Sequence, residues 1–489
     1  MRLADLLCEE LQGQSGCAEF GATEITGLTC DSRKVRPGYL FAAFPGAHAD
    51  GREFIAEALG RGAVAVLAPP GTHLHPPTLP VRLLNAENPR RALALMAARF
   101  YNRQPATIAA VTGTNGKTSV VSFVRQIWAR LGSPAASMGT LGTVVPGGET
   151  AGRLTTPDAV DLHRDLAAVA DAGVSHLAFE ASSHGLAQHR LDGVKVKAAG
   201  FTNLTRDHLD YHGTMDAYRA AKMRLFTDVT VANGAAVINA DDPAATAFIK
   251  AARERGLAVY TYGTAGEALR LDRCEPLVDG QGLRIIVDGR PHEVVLPLVG
   301  AFQAMNALCA LGLAIATGSD AGAAMAALAE LEGVRGRLQM AARHSSGAPV
   351  LVDYAHTPDA LDAVLKTLRP HVKGRLIVVF GCGGDRDAGK RPLMGRIAEE
   401  RADLTFVTDD NPRGEDPAAI RRQILAASPH AREIGDRRQA INVAVASLGP
   451  DDLLLVAGKG HEKGQIVGDR VIPFDDVTVV NEAVAEIGR

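Results

Sequence analysis

The stretch Val111-Thr112-Gly113-Thr114-Asn115-Gly116-Lys117-Thr118-Ser119 most narrowly limits what this chain can fold into. It follows an apolar, partly β-branched run, Thr107 to Val111, and leads into a helix-like run from Thr118 to Leu131. A glycine loop between a strand and a helix start is a phosphate cradle, because backbone N–H groups and the helix N-terminus point at the anion. Gly113 and Gly116 let the backbone turn sharply and approach a phosphate. Lys117 is placed to reach terminal phosphates, and the Thr118 hydroxyl to bind Mg²⁺. The pattern departs from G-x-x-x-x-G-K-[ST] in one place, since Val111 stands five residues before Gly116.

With 489 residues, the chain is too long for one core, and three domains are expected. A net charge of −3 gives no electrostatic footprint for nucleic acid. No apolar run approaches the ~18 residues of a membrane span. The start, Met1 to Asp5 with Glu9 and Glu10 close behind, is not that of a signal peptide. The six cysteines form no C-x-x-C pair and read as free thiols in a reducing cytosol. A cytoplasmic protein is expected, with no nucleic-acid or membrane partner.

Three segments follow. Residues 1–101 mix Ala-rich helices (Ala56 to Arg61, Pro89 to Tyr101) with short strands (Ala63 to Leu67, Val81 to Leu84). In residues 102–333, apolar runs end in polar clusters: Val174 to Phe179 before Glu180, Ala198 to Phe201 before Thr202-Asn203, and Ala235 to Asn239 before Asp241-Asp242. Gly263 to Pro297 reads as extra strands or a hairpin, with Asp288-Gly289 as the turn. Residues 334–489 repeat the strand-then-cluster pattern at Asp353, Gly381, Thr408 and Gly458, with helices between (Pro358 to Leu368, Pro392 to Ala402, Pro417 to Ala427, Arg437 to Ser447). That alternation predicts a doubly wound sheet, with the clusters gathered beyond the carboxyl ends of its strands. The glycine spacing does not fit a dinucleotide site.

Three stretches then carry a resemblance. Thr112 to Thr118, Glu180-Ala181-Ser182-Ser183-His184-Gly185-Leu186 with Asn203 to Asp210, and Asp353-Tyr354-Ala355-His356-Thr357-Pro358 are similar to motifs of the Mur ligases. These enzymes add amino acids to the peptide stem of bacterial peptidoglycan precursors. The resemblance spans nearly the whole chain in the same order. Asp410-Asn411-Pro412-Arg413 resembles the amino-acid recognition motif of the diaminopimelate-adding members.

The resemblance implies an α/β protein of three domains: an N-terminal UDP-binding domain, a central P-loop-type ATPase domain with a mostly parallel sheet, and a C-terminal Rossmann-like domain that carries the amino acid. It implies a monomer using ATP and Mg²⁺. The D-glutamyl carboxylate of UDP-N-acetylmuramoyl-L-alanyl-D-glutamate is activated as an acyl phosphate, and the amine of meso-diaminopimelate attacks it. Carried over by position, Gly113, Thr114, Asn115, Gly116, Lys117, Thr118, Ser119, Asn306, Arg337 and Asp353 surround ATP. Ser32, His48, Thr155, Thr156, Ser182, Gln188 and Arg190 hold the muramoyl-peptide. Lys117, Glu180, His208 and Lys222 are catalytic, with Thr118, Glu180 and Lys222 at the metal and Lys222 carbamylated. Arg386, Asp410, Asn411, Pro412, Arg413, Gly458 and Glu462 take diaminopimelate. A bidentate arginine fits the carboxylate that distinguishes diaminopimelate from lysine. A lysine-adding ligase of the same family, and a nucleotide-dependent switch or binding protein, are the competing readings.

Overall fold

The computed structural model describes residues 1–7, 11, 23–46, 49–74, 81–150, 154–278 and 280–487. It divides into two compact units, Met1–Arg270 with Leu308–Ala324, and Leu271–Ala307 with Met325–Arg489.

The first unit holds two sheets. Strands β1 (Gly27–Thr29), β2 (Tyr39–Ala42), β3 (Ala65–Ala68) and β4 (Arg82–Asn85) pair in parallel in that order. Helix Pro89–Tyr101 follows β4. Asn88 caps it by accepting from the Arg91 N–H, Pro89 starts it, and Asn102 ends it in a left-handed conformation. The larger sheet contains β5 (Thr107–Thr112), β6 (Ala135–Gly139), β7 (Gly142–Val145), β8 (Gly148–Thr150), β9 (His176–Glu180), β10 (Val196–Phe201), β11 (Thr230–Asn239) and β12 (Ala258–Gly263). Their order is β12-β11-β10-β5-β9-β6-β7-β8. All pairings from β12 to β6 are parallel, while β7 and β8 add antiparallel. Every residue of β5 is buried, as expected of a central strand with helices on both faces. The loop after β5 therefore opens between the ends of β9 and β10, where the sequence placed its polar clusters.

Strand β13 (Leu269–Leu277) begins on the edge of this sheet, through Tyr262↔Leu269. In the second unit β14 (Gly280–Val287) and β15 (Arg290–Leu296) form the expected hairpin. Its turn residues, Asp288 and Gly289, both have positive φ, the requirement of a type I′ turn.

The second unit's main sheet contains β16 (Gln339–Arg343), β17 (Pro349–Asp353), β18 (Leu376–Phe380), β19 (Leu404–Val407), β20 (Arg432–Glu433) and β21 (Leu453–Ala457), in the order β16-β17-β21-β18-β19-β20. Only β16 is antiparallel. Successive residues of β18 face opposite cores: Leu376, Val378 and Phe380 one, Ile377 and Val379 the other. Burial on both faces explains the unbroken apolar runs in the sequence. The carboxyl ends of β17, β21, β18 and β19 lie side by side, so the clusters at Asp353, Gly458, Gly381 and Thr408 share one end of the sheet. A small antiparallel pair, β22 (Gly464–Val467) and β23 (Arg470–Pro473), follows. No helix among the described residues is long and apolar enough to cross a membrane.

Candidate active site

In the first unit, the loop after β5 is held by its neighbours. Gly113 has φ 152°, and a Cβ there would overlap the Thr202 hydroxyl, so only glycine fits. Thr202 Oγ1 donates to the Asn115 carbonyl at 2.6 Å, and the Asn115 N–H donates to Asn203 Oδ1 at 2.9 Å. Thr114 Oγ1 accepts from the Thr205 N–H at 3.0 Å and lies 3.3 Å from the Tyr218 hydroxyl. Gly116 (φ 86°) precedes helix Lys117–Arg130, whose first turn carries Thr118 and the buried Ser119. Lys117 Nζ donates to the carbonyls of Gly113 and Thr114 at 3.0 and 2.8 Å.

Glu180 ends β9 with 2% exposure. Its Oε1 accepts from the Thr118 hydroxyl at 3.0 Å and the Thr140 N–H at 2.8 Å, and its Oε2 from the Thr140 hydroxyl at 3.1 Å. Thr155 Oγ1 lies 3.1 Å from Thr140 Oγ1, and Thr156 Oγ1 donates to the Glu180 carbonyl at 2.9 Å. Ser182 donates its N–H to Thr156 Oγ1 at 3.1 Å and caps the next helix through its own hydroxyl. The Arg190 guanidinium donates to the Thr156 carbonyl at 2.7 Å and to Gln188 Oε1 at 2.7 Å, and Gln188 reaches the Tyr211 hydroxyl at 3.0 Å. Burial pulls the Arg190 and Arg90 guanidiniums below the usual arginine value, Arg90 lowering Arg190 in turn. Two desolvated cations in mutual repulsion suit an anionic ligand.

Lys222 lies in helix Met215–Arg224, which Thr214 caps. Its sequence has the look of a surface helix, yet Lys222 is 1% exposed. Its Nζ donates to the Gly113 carbonyl at 2.7 Å and sits 4.3 Å over the Tyr218 ring. Burial, and then the Lys117 ammonium, push the Lys222 amine down to about 6. His208 is more exposed. Its partners are Asp207 at 3.5 Å and the rings of His184 and Tyr218. Ser32 is buried and donates to Glu57 Oε2 at 2.8 Å. His48 lies outside the described residues.

In the second unit, Asp353 ends β17. Its carboxylate accepts from the Leu338 N–H at 2.7 Å and the Ala355 N–H at 2.8 Å, while burial raises its pKa against them. It therefore clamps the chain at the start of the sheet. The Arg337 guanidinium lies 5.4 Å over the Tyr354 ring, and Asn306 donates to Gln303 Oε1 at 3.0 Å inside its helix.

At the ends of β18, β19 and β21, Arg413 holds φ 52°. Its guanidinium donates to the Gly384 carbonyl at 3.0 Å and the Asn411 carbonyl at 3.4 Å, and no carboxylate pairs with it among the described residues. Arg386 is exposed, on the same glycine loop. Asn411 donates through Nδ2 to Glu462 Oε2 at 2.9 Å. Asp410 is buried beside Gly458, where burial raises its pKa and the Arg437 and Lys459 cations oppose that rise. The Pro412 carbonyl abuts Gly384 so closely that no Cβ fits there.

Models of three Mur ligase segments match the chain: the Mur ligase family catalytic domain at residues 24–101, the Mur ligase middle domain at 111–314 and the Mur ligase glutamate ligase domain at 336–460. The chain belongs to the Mur ligase family. It is 56% identical over 466 residues to the UDP-N-acetylmuramoyl-L-alanyl-D-glutamate–2,6-diaminopimelate ligase of Caulobacter vibrioides, with 94% of this chain and 95% of that relative covered. Against the ligase of the same name from Bradyrhizobium diazoefficiens it is 54% identical over 491 residues, covering 99% of each. A solved structure titled as a ligase of that name has a TM-score of 0.78 at 34% identity, covering 100% of this chain and 99% of its own. The MurF ligase of Thermotoga maritima in complex with ADP, at 19% identity and a TM-score of 0.58 over 95% of this chain and 97% of its own, shares the fold.

In this Mur ligase, sequence reasoning missed Thr140, which gives Glu180 two of its three hydrogen bonds. The signal was Gly139: a Cβ there would collide with the Glu180 carboxylate. It also missed Tyr218, which lies under Lys222, and Lys459, which is fully buried.

Proposed function

We propose that this Mur ligase joins the amine of meso-diaminopimelate to the D-glutamyl carboxylate of UDP-N-acetylmuramoyl-L-alanyl-D-glutamate, using ATP, in the cytoplasm. The observation that carries the substrate choice is Arg413, whose guanidinium is fixed by two carbonyls and lacks a carboxylate partner among the described residues. A guanidinium held this way suits a second carboxylate, which diaminopimelate has and lysine lacks. The division into a UDP-binding segment (1–101), an ATP-binding segment (102–333) and an amino-acid-binding segment (334–489) belongs to the same proposal.

A carboxylate has no good leaving group. The γ-phosphoryl of ATP passes to the substrate carboxylate oxygen as its bond to the β-phosphate oxygen breaks. The amine then attacks the acyl carbon, phosphate leaves, and the nitrogen loses a proton. Both partners of the first step are anions. The loop amides and Lys117 offset that repulsion, with Lys117 exchanging its carbonyl partners for phosphate oxygens.

Thr118 and Glu180 offer oxygen donors 3.0 Å apart, which fits Mg²⁺. No group of three or more His, Cys, Asp or Glu that could hold a metal ion occurs among the described residues, and phosphate oxygens of the nucleotide would supply the further ligands that Mg²⁺ prefers. When bound, Mg²⁺ neutralises phosphate charge. An amine with a pKa of about 6 is neutral at pH 7, the form that adds to carbon dioxide. Lys222 then becomes a carbamate as N–C forms and a proton leaves. This gives the site a further anion at the Gly113 end of the loop, one that attracts the Lys117 ammonium.

The test is phosphate release with ATP, Mg²⁺ and UDP-muramoyl-dipeptide, offering meso-diaminopimelate or L-lysine. Turnover with diaminopimelate alone supports the reading. Turnover with lysine overturns the role of Arg413, and release that ignores the muramoyl substrate overturns the ligase.

A further inference from the structure

Lys459 is 0% exposed, between Gly458 and Gly460 beyond the end of β21. Its Nζ donates to Asn411 Oδ1 at 3.0 Å and to Glu462 Oε2 at 3.1 Å. Asn411 Oδ1 also accepts from the Ile466 N–H at 2.9 Å. Two donors on the same oxygen leave the Asn411 amide one orientation, with Nδ2 turned to Glu462 Oε2. Glu462 Oε2 is thus saturated by a cation and an amide. Oε1 takes no hydrogen bond among the described residues and remains to accept one from a ligand.

The charges argue the same way. Three carboxylates, Asp410, Glu462 and Asp476, gather here. Asp476 is taken by Arg437, which donates to both of its oxygens at 2.8 and 2.7 Å inside the core. Lys459 is the cation that pairs with Glu462. Without it, the half-buried Glu462 would stand unpaired as a like charge near the buried Asp410.

We propose that Lys459 is a positioning residue for amino-acid selection: it fixes Asn411 and turns Glu462 so that one carboxylate oxygen meets the distal ammonium of the incoming amino acid. This rests on the ligase reading and deepens it. Lys459, with no exposed surface, acts through Glu462 and does not touch the amino acid itself.

The test compares meso-diaminopimelate with 2-aminopimelate, which keeps both carboxylates and lacks the distal amine, in wild type, Lys459→Met and Glu462→Gln. Lys459→Met should raise KM for diaminopimelate roughly 10- to 100-fold, the range for a charged hydrogen bond, with KM for ATP unchanged. The preference for diaminopimelate over 2-aminopimelate should collapse equally in both variants, and the double variant should be no worse than the poorer single one. Equal losses on both amino acids, or additive losses in the double variant, overturn the positioning role. If Lys459→Met fails to fold, Lys459→Gln keeps a donor without the charge; unaltered selectivity in it overturns the proposal. A wild-type protein inactive with diaminopimelate overturns the ligase reading first, so the two failures are distinguishable.

Discussion

At the end of β5 the polar groups are mostly backbone amides and carbonyls, whereas at the ends of β18, β19 and β21 they are charged side chains bonded to one another. Asn115 is fixed through its main-chain atoms by Thr202 and Asn203, the Thr114 N–H by the Asn203 carbonyl, and the Thr114 hydroxyl by the Thr205 N–H. Asn411, Glu462 and Lys459 are fixed by each other. A backbone cradle demands glycine and a strand–helix junction but tolerates change around it, as suits a ligand common to many enzymes. A side-chain network can be retuned one residue at a time, which is why the proposed selectivity is assigned to it.

That contrast can be broken at several strengths. The largest effect is expected at Lys222. Lys222→Ala should lower kcat by about 10³-fold, with partial return on adding a small carboxylate or bicarbonate. Full activity of the variant in a phosphate-release assay would place Lys222 outside the chemistry. Arg413→Lys should lower kcat/KM for diaminopimelate by about 10²-fold and leave KM for ATP as it was, because an ammonium cannot replace the planar fork. A parallel rise in KM for ATP would show that the two sites are not independent.

The next effect concerns stability. His163 is buried in the first unit, its Nε2 3.0 Å from the Asp192 carbonyl, and burial pulls its pKa down to about 4. Between pH 6.5 and 4 the unfolded chain binds a proton there that the folded chain does not. Stability should fall by about 1.4 kcal/mol per pH unit as pH drops through that window, and then level off. Urea unfolding of wild type and His163→Leu across the window checks this: the variant should lose the His163 share of the slope. The smallest effect is at Arg438, paired with Glu482 on the surface. Arg438→Ala should cost under about 1 kcal/mol by the same unfolding measurement. Its neighbour Arg437, buried against Asp476, should cost about 3–5 kcal/mol when cut to Met.

Features that depend on local chemistry were legible in the sequence. Helix Pro358–Leu368 has its Thr357 cap and Pro358 start written next to each other, and strand Leu376–Phe380 is an unbroken apolar run. The helix expected from Pro392 begins at Lys390, because proline is tolerated throughout a first turn. The burial of Lys222 was not legible, since it depends on Gly113, 109 residues away, and on Tyr218 turning beneath it. Thr140 reaches Glu180 only because β6 lies beside β9, and Asn411 meets Glu462 across 51 residues of chain. Such pairings follow from strand order, which no local pattern records.

The bond between Asn411 and Pro412 has a consequence for the lifetime of the molecule. Asparagine side chains slowly hydrolyse to aspartate when the next residue's backbone N–H attacks the amide carbon and closes a succinimide ring. Proline has no such N–H. The amide that faces Glu462 is therefore shielded from the usual route of chemical ageing. An aspartate at 411 would set a new anion against Glu462, so Pro412 preserves the charge balance of the site for as long as the protein persists.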